Sequence, residues 1–194
     1  MMHTHAFPTL AATLWPADTS RAVRAVLLAI VGTLLLTLSA KIQVPFWPVP
    51  MTMQTYAVLC LAAAFGWRLG VATMLLYLAE GAIGLPVFAG TPEKGIGLAY
   101  MMGPTGGYLF GFVAAAALIG WLAERGWDRS LARMALAMAI GHVVILALGW
   151  GWLATLVGAA KAWMLGVAPF YAATVVKTAL AAVTLPALWS LLRR

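Results

Sequence analysis

Lys177 is the residue whose surroundings most strongly indicate a binding role, because an apolar run encloses its charge. It lies eight residues after Pro169, which corresponds to about 12 Å along a helix at 1.5 Å per residue. A lysine at the centre of a membrane helix costs roughly 2.5 to 3.5 kcal/mol on insertion scales, so we expect a cavity or a polar partner beside it. Thr174, one turn earlier, would add a hydroxyl to the same helical face. Two structural interpretations stay open: Lys177 can extend its stem toward the lipid headgroups, and Thr174 can bond to its own helix.

A second polar group lies where another apolar run begins. Thr52, Gln54 and Thr55 follow a proline-rich segment at 48–51. The Gln54 amide offers two N–H donors and one acceptor oxygen, which suits a neutral urea or amide ligand better than an ion. The alternative, which stays open, is that Thr52 caps the helix while Gln54 forms a hydrogen bond to a neighbouring helix.

Aromatic residues beside proline and glycine turns are candidates for the wall of a pocket. Trp47, Phe88 and Tyr108 have such positions, although an aromatic belt at the membrane surface also accounts for residues of this kind. The glycines of segment 103–107 would let a helix and a loop approach closely. We expect this approach to leave the ring and hydroxyl of Tyr108 facing a ligand.

The residue types needed for catalysis or metal binding are poorly placed. Cys60 is the single cysteine, and His142 stands alone in an apolar run, where hydrogen-bonded packing is a more common role than metal binding. The four serines lie away from His142, and the sequence contains neither a nucleophile motif nor a phosphate-loop motif. We therefore expect no catalytic residue, no metal site and no cofactor, and we do not expect an enzyme.

Composition places these residues in a membrane protein. The chain has 194 residues, of which 64% are hydrophobic and 9% charged, whereas a soluble domain carries about 25% charged residues. The net charge of +7 is not gathered into a Lys/Arg-rich run, so basic loops explain it better than binding to nucleic acid does. We predict an all-α, polytopic membrane protein in which a loose cytoplasmic tail, 1–20, precedes a single transmembrane domain, 21–194. Its six transmembrane helices are predicted at 22–40, 52–66, 69–83, 106–123, 131–148 and 167–192.

The basic residues predict how the helices are oriented. With six spans, every arginine falls at one end of the bundle, whereas Lys41, Lys94 and Lys161 fall at the other. The positive-inside rule makes the arginine end cytoplasmic, together with both termini. The opposite connections, 45–50, 84–108 and 149–170, are long and rich in Pro, Gly and aromatic residues. Irregular backbone near a bilayer must pack on protein or line a cavity, so we predict a pocket that opens to the outside.

Four blocks of the sequence, taken together, resemble the signature of the BioY family of biotin transporters. They are the segments 48–55, 84–90, 103–109 and 166–170, the last of which is followed by Lys177. The resemblance implies the substrate-binding S component of an energy-coupling factor (ECF) transporter in the cytoplasmic membrane, with a high-affinity biotin site near the extracellular face. It also implies partners, namely a transmembrane coupling protein and two cytoplasmic ATPase subunits. Ala25 and Ala29 match the small-residue pattern that contacts the coupling protein in this family, although lipid-facing alanines would look the same.

The resemblance also implies roles for the candidate residues. The family usually has an aspartate where this chain has Thr174, so Lys177 is expected to meet a ligand acceptor directly. Two rival functions stay open: a self-sufficient secondary carrier for biotin or a related small vitamin, and a structural membrane protein, which would leave the buried lysine unexplained. The implied roles are an apolar enclosure by Trp47, Phe88, Tyr108 and Phe170, pairing with the urea by Thr52, Gln54 and Thr174, and contact with a urea or carboxylate oxygen by Lys177 or an outer lysine.

Overall fold

The computed structural model describes residues 7–14, 20–44, 48–49 and 51–192, and most of these residues are α-helical. Within these ranges, a two-stranded antiparallel ribbon pairs Gln43 with Thr52 and Val44 with Met51. Its strands are β1, Gln43–Val44, and β2, Met51–Thr52. The helices are α1 (Leu10–Leu14), α2 (Arg21–Lys41), α3 (Gln54–Phe65), α4 (Trp67–Ala82), α5 (Gly97–Met101), α6 (Gly106–Ala123), α7 (Leu131–Val157), α8 (Ala159–Gly166) and α9 (Tyr171–Leu192).

Each of the six apolar runs predicted from the sequence is helical over most of its length, which confirms the all-α fold. The helices α2, α6 and α7 and the stretch Ala159–Leu192 are each long and apolar enough to cross a membrane. The helices α3 and α4 have 12 and 16 residues, or about 18 and 24 Å at 1.5 Å per residue, which is less than the roughly 30 Å of a bilayer core. The count of six complete spans therefore stays a prediction.

The connection predicted to be irregular at 149–170 is instead mostly helical. α7 continues to Val157, and α8 follows after a single residue. Gly149 and Gly151 each cost about 1 kcal/mol in a helix interior, which does not end a helix of 27 residues. The helix ends at Gly158, whose φ of 86° suits glycine. The prediction failed because glycine content alone does not distinguish a helix interior from a loop.

The two ends of the bundle differ in chemistry. We call the end at which α3 and α6 finish and α4 and α7 begin the arginine end, and the opposite end, with the longer connections, the loop end. Six described arginines belong to the arginine end, which agrees with the partition predicted from the sequence. They are Arg21, Arg24, Arg68, Arg125, Arg129 and Arg133.

Part of the N-terminal tail packs on the arginine end, whereas the sequence predicted a loose segment. The Phe7 amide donates a hydrogen bond to the Glu124 carbonyl oxygen at 2.8 Å. Arg129 donates to the Pro8 carbonyl oxygen at 3.2 Å. Leu10 is 2% exposed, because it belongs to the hydrophobic core. Residues 7–14 therefore cover this end of the bundle.

A buried carboxyl group closes the same end. Asp128 lies in a short 3-10 turn between α6 and α7, is 1% exposed, and accepts a hydrogen bond from the Trp189 indole of α9. Burial raises the pKa of the Asp128 carboxyl, while the Trp189 hydrogen bond and the charge of Arg129 counteract part of that effect. This contact fixes the last turn of α9 to the connection between α6 and α7.

The central helix of the bundle is α6, which packs against α3, α4 and α7. Of its residues, 67% are buried. A Cβ on Gly111 would lie 3.0 Å from the Ile145 Cα, and one on Gly107 would lie 2.5 Å from the Leu148 carbonyl oxygen. The glycines of segment 103–107 were predicted to let a helix and a loop approach closely, and at Gly107 the close approach is instead between the two helices α6 and α7. This packing sets the distance between α6 and α7 at the loop end of the bundle.

Candidate functional site

A partly enclosed cavity of about 630 Å³, a volume that includes its open mouth, lies at the loop end between α3, α6, α7 and α9. Among the described residues that line it there is no aspartate or glutamate. The lining residues are Val49, Thr52, Gln54, Thr55, Ala89, Tyr100, Thr105, Tyr108, Leu109, Phe112, His142, Ile145, Leu146, Phe170, Thr174 and Lys177.

Lys177 provides the cationic group of the cavity. It lies six residues into α9, about 9 Å along the helix, and is 8% exposed. Its Nζ donates to the Thr52 carbonyl oxygen at 2.6 Å and to the Thr55 Oγ1 at 3.1 Å. Lys177 therefore points into the bundle and does not extend toward the headgroups. Because an ammonium group has three N–H donors, one donor remains for a molecule in the cavity.

The interhelical hydrogen bond predicted for Gln54 is present at the start of α3, whereas the N-cap residue of α3 is Met53 and not Thr52. The Thr52 Oγ1 accepts a hydrogen bond from the backbone N–H of Gln54 at 3.2 Å. The Gln54 Nε2 donates to the Tyr77 hydroxyl at 2.6 Å, and that hydroxyl donates to the Val87 carbonyl oxygen at 2.7 Å. Thr52 and Gln54 also line the cavity, so the structural and ligand-binding interpretations are compatible for both. Thr174 lies on the same wall as Lys177.

Tyr108 and Phe170 are the two predicted aromatic residues that line the cavity. The Tyr108 hydroxyl donates to the Gly166 carbonyl oxygen at 2.7 Å. The sequence predicted that this hydroxyl would face a ligand, and the structure shows that it instead holds the end of α8 against α6. What Tyr108 presents to the cavity is therefore its ring.

Phe88 is not brought to the cavity wall. Its ring is 1% exposed and lies against Tyr77 and Tyr100, with centroid distances of 5.3 and 5.1 Å. Tyr100 itself lines the cavity, so Phe88 supports the wall from behind. The remaining predicted aromatic residue, Trp47, lies outside the residues that the structure describes.

Lys41 and Tyr100 fix the loop that forms one rim of the cavity. The Lys41 Nζ donates to the Phe88 carbonyl oxygen at 3.0 Å and to the carbonyl oxygen and Oγ1 of Thr91 at 2.9 and 3.1 Å. The Tyr100 hydroxyl donates to the Ala89 carbonyl oxygen at 2.8 Å, and burial raises the pKa of Tyr100, which keeps its proton in place. Since all three Lys41 donors are engaged, Lys177 is better placed than this outer lysine to meet a ligand.

His142 lines the cavity without having been predicted to do so. Its Nδ1 lies 2.9 Å from the Met138 carbonyl oxygen and 3.1 Å from the Thr178 Oγ1, which confirms the predicted hydrogen-bonded packing. Ile145 and Leu146 follow at i+3 and i+4 and line the same cavity. In the sequence, His142 is a single polar residue on an otherwise apolar face of α7. That pattern indicates a cavity residue only when the position of α7 beside α9 is known.

The two alanines proposed to contact a partner lie toward the inner side of α2. Ala29 is 9% exposed and shares a buried face with Thr33, while Ala25 is half-buried. The exposed side of α2 carries larger aliphatic residues such as Val26 and Ile30. Contact of Ala25 and Ala29 with a coupling protein stays a prediction.

Comparisons with known proteins relate this architecture to one family. The sequence profile of the BioY family matches residues 9–194. The probable biotin transporter BioY of Pyrococcus horikoshii is 40% identical over 149 residues, which cover 77% of this chain and 86% of that protein. The biotin transporter BioY of Thermotoga maritima is 40% identical over 127 residues, or 66% of this chain and 72% of that protein. The crystal structure of the S-component for biotin from an ECF-type ABC transporter has the same fold, with a TM-score of 0.75 at 21% identity over 89% of this chain and 95% of the other.

Proposed function

This chain belongs to the BioY family, and on that basis we propose that it binds biotin in the loop-end cavity and serves as the S component of an ECF transporter. The observation that carries the proposal is the state of Lys177. Its ammonium group is buried, keeps one N–H donor for a ligand, and faces a cavity whose described lining contains no carboxylate. A neutral or anionic acceptor on the ligand would complete its coordination.

The chemistry of biotin fits the two kinds of surface in the cavity. Biotin has an apolar bicycle and chain, a urea with two N–H donors and a carbonyl oxygen, and a carboxylate. Phe112, Ile145 and Leu146 offer an apolar wall, while Lys177 and Thr174 offer hydrogen-bonding groups. With Thr174 where the family usually has an aspartate, Lys177 is left without that counter-charge, and a ligand oxygen takes its place. Apolar burial would supply most of the affinity, and the polar groups would supply selection.

Calorimetry on the purified chain in lipid nanodiscs tests the binding proposal. We expect Lys177→Ala to weaken biotin binding at least tenfold, because hydrogen bonds from charged groups contribute about 1.5 to 3 kcal/mol and each 1.4 kcal/mol is a factor of ten. Lys161→Ala is the matched control, since Lys161 is exposed and does not line the cavity. Failure of the unaltered chain to bind biotin, or an affinity that Lys177→Ala leaves unchanged, would overturn the proposal.

Uptake measurements test the transport mechanism and the proposed partners. The sequence contains no phosphate-loop motif, so ATP hydrolysis would belong to separate subunits. We expect cells that lack other biotin transporters to accumulate labelled biotin when this chain is expressed with a coupling protein and its two ATPases. That uptake should persist when the proton gradient is collapsed and ATP is maintained. Uptake by the chain alone that disappears with the gradient would instead identify a self-sufficient secondary carrier.

A further inference from the structure

One residue that lines the cavity, His142, has a buried polar atom without a hydrogen-bond partner. Four buried side-chain polar atoms among the described residues lack a partner: Gln43 Oε1, Asp128 Oδ1, Arg129 Nε and His142 Nε2. Of the four residues, His142 is the one that lines the cavity. It is 2% exposed, so bulk water does not satisfy its ring. A buried polar group of this kind calls for a partner that the chain itself does not supply.

The contacts of the His142 Nδ1 determine whether Nε2 donates or accepts a hydrogen bond. The His142 Nδ1 lies 2.9 Å from the Met138 carbonyl oxygen, which can only accept a hydrogen bond. The proton of the neutral imidazole is therefore on Nδ1, and Nε2 is an acceptor. The bond to Met138 also turns Nδ1 back along α7. Nε2 is consequently the ring nitrogen turned away from the α7 backbone, and His142 lines the cavity together with Ile145 and Leu146.

The two facing helices then present opposite hydrogen-bonding groups to the same space. The Thr178 Oγ1 lies 3.1 Å from the His142 Nδ1, and Thr178 is the residue that follows Lys177 on α9. α7 thus contributes an acceptor, and α9 a cationic donor, to the lining of the same cavity. A ligand that satisfies both must carry an N–H group close to an acceptor oxygen, which is the arrangement within a urea or a secondary amide.

We propose that His142 is a specificity-determining residue whose Nε2 accepts a hydrogen bond from one urea N–H of biotin. The inference rests on the proposed function and adds to it the ligand group that this residue recognises. Because Nε2 is already excluded from water, a ligand that covers it without donating leaves it unpaired. A site built to pair with a ligand N–H rejects an analogue that lacks it far more strongly than a purely apolar site does.

This role can be tested with substitutions that keep the hydrogen-bonding group of one ring nitrogen of His142 and remove that of the other. His142→Asn keeps a donor near the Met138 carbonyl oxygen and removes the acceptor at Nε2, so we expect biotin affinity to fall about tenfold or more. His142→Gln places an amide oxygen near the position of Nε2 and should retain more affinity than His142→Asn. Thr178→Val is the matched control, because it removes only the neighbour of Nδ1, and we expect a smaller loss. Thermal unfolding of each variant without ligand reports whether the bundle is intact.

Ligands methylated on one or the other urea nitrogen complete the test. The unaltered chain should bind one of these biotin analogues at least about tenfold more weakly than biotin, and His142→Asn should remove most of that difference. Desthiobiotin, which keeps both N–H groups, should show the same loss with His142→Asn as biotin does. Equal affinity of His142→Asn and the unaltered chain, or equal losses for the Asn and Gln variants, would overturn the role of His142. If the unaltered chain fails to bind biotin at all, the proposed function fails instead.

Discussion

The Tyr108 hydroxyl and the Tyr108 ring have separable roles at the loop end. We expect Tyr108→Phe to lower the free energy of unfolding by about 1 to 3 kcal/mol, because the Gly166 carbonyl oxygen loses its buried donor. Biotin affinity should change less than about threefold, since the ring that lines the cavity is kept. Thermal unfolding and calorimetry measure the two effects, and Tyr171→Phe, at an exposed tyrosine, is the control. A large loss of affinity with unchanged stability would show that the hydroxyl meets the ligand.

Single residues were predictable where their chemistry conflicts with their surroundings. Lys177 was identified because a charge within an apolar run needs a partner, and the cavity confirms that it has one. His142 and Tyr100 were not predicted to line the cavity, because a lone histidine or tyrosine also serves ordinary packing. Phe88 shows the opposite error, since a position beside a turn does not reveal which way a ring points. The direction of an aromatic ring depends on neighbours that are distant in sequence.

Among the elements, the contact between α6 and α7 is the one that most directly shapes the site. A Cβ on Gly107 would overlap the Trp152 Cβ and lie 2.5 Å from the Leu148 carbonyl oxygen, so Gly107→Ala must push the two helices apart. We expect this variant to lose about 1 to 3 kcal/mol of stability and to weaken biotin binding, because Gly107 precedes Tyr108. Thermal unfolding and calorimetry measure both losses.

The matched control for this substitution is Gly151→Ala, on the partner helix. A Cβ on Gly151 has no neighbour within 4 Å, and alanine favours a helix interior over glycine by about 1 kcal/mol. Gly151→Ala should therefore leave stability unchanged or raise it, with biotin affinity unaltered. Equal stability of the Gly107 and Gly151 variants would contradict the tight packing of α6 on α7.

Element types followed from the sequence more readily than element ends. The apolar runs predicted six helices because their length and composition leave few other structures, and each of the six runs is helical over most of its length. α7 extends nine residues past the predicted end at 148, because Gly149 packs against the Tyr108 ring and neither Gly149 nor Gly151 ends the helix. The lengths of α3 and α4 show the related difficulty that a helix can be correctly located and still be too short to prove a complete span. Tertiary packing determines both where a helix ends and how long it is.

At the scale of the whole molecule, charge asymmetry predicts how the bundle sits in the membrane. Six described arginines mark the arginine end, whereas Lys41, Lys94 and Lys161 belong to the loop end. Excess basic residues remain on the cytoplasmic side of a membrane, so the loop-end cavity should open to the outside. The proposed function requires this orientation, because the cavity must take up biotin from outside the membrane.

Cysteine labelling in intact cells tests this orientation with a closely matched pair of variants. Ala160→Cys at the loop end and Ala132→Cys at the arginine end replace small, exposed residues and leave every basic residue in place. Cys60, the single native cysteine, is removed by Cys60→Ala in both. A membrane-impermeant maleimide should label position 160 in intact cells and position 132 only after the membrane is permeabilised. Labelling in the reverse order, or of both positions in intact cells, would contradict a cytoplasmic arginine end, and an inward-facing cavity could not collect biotin from outside.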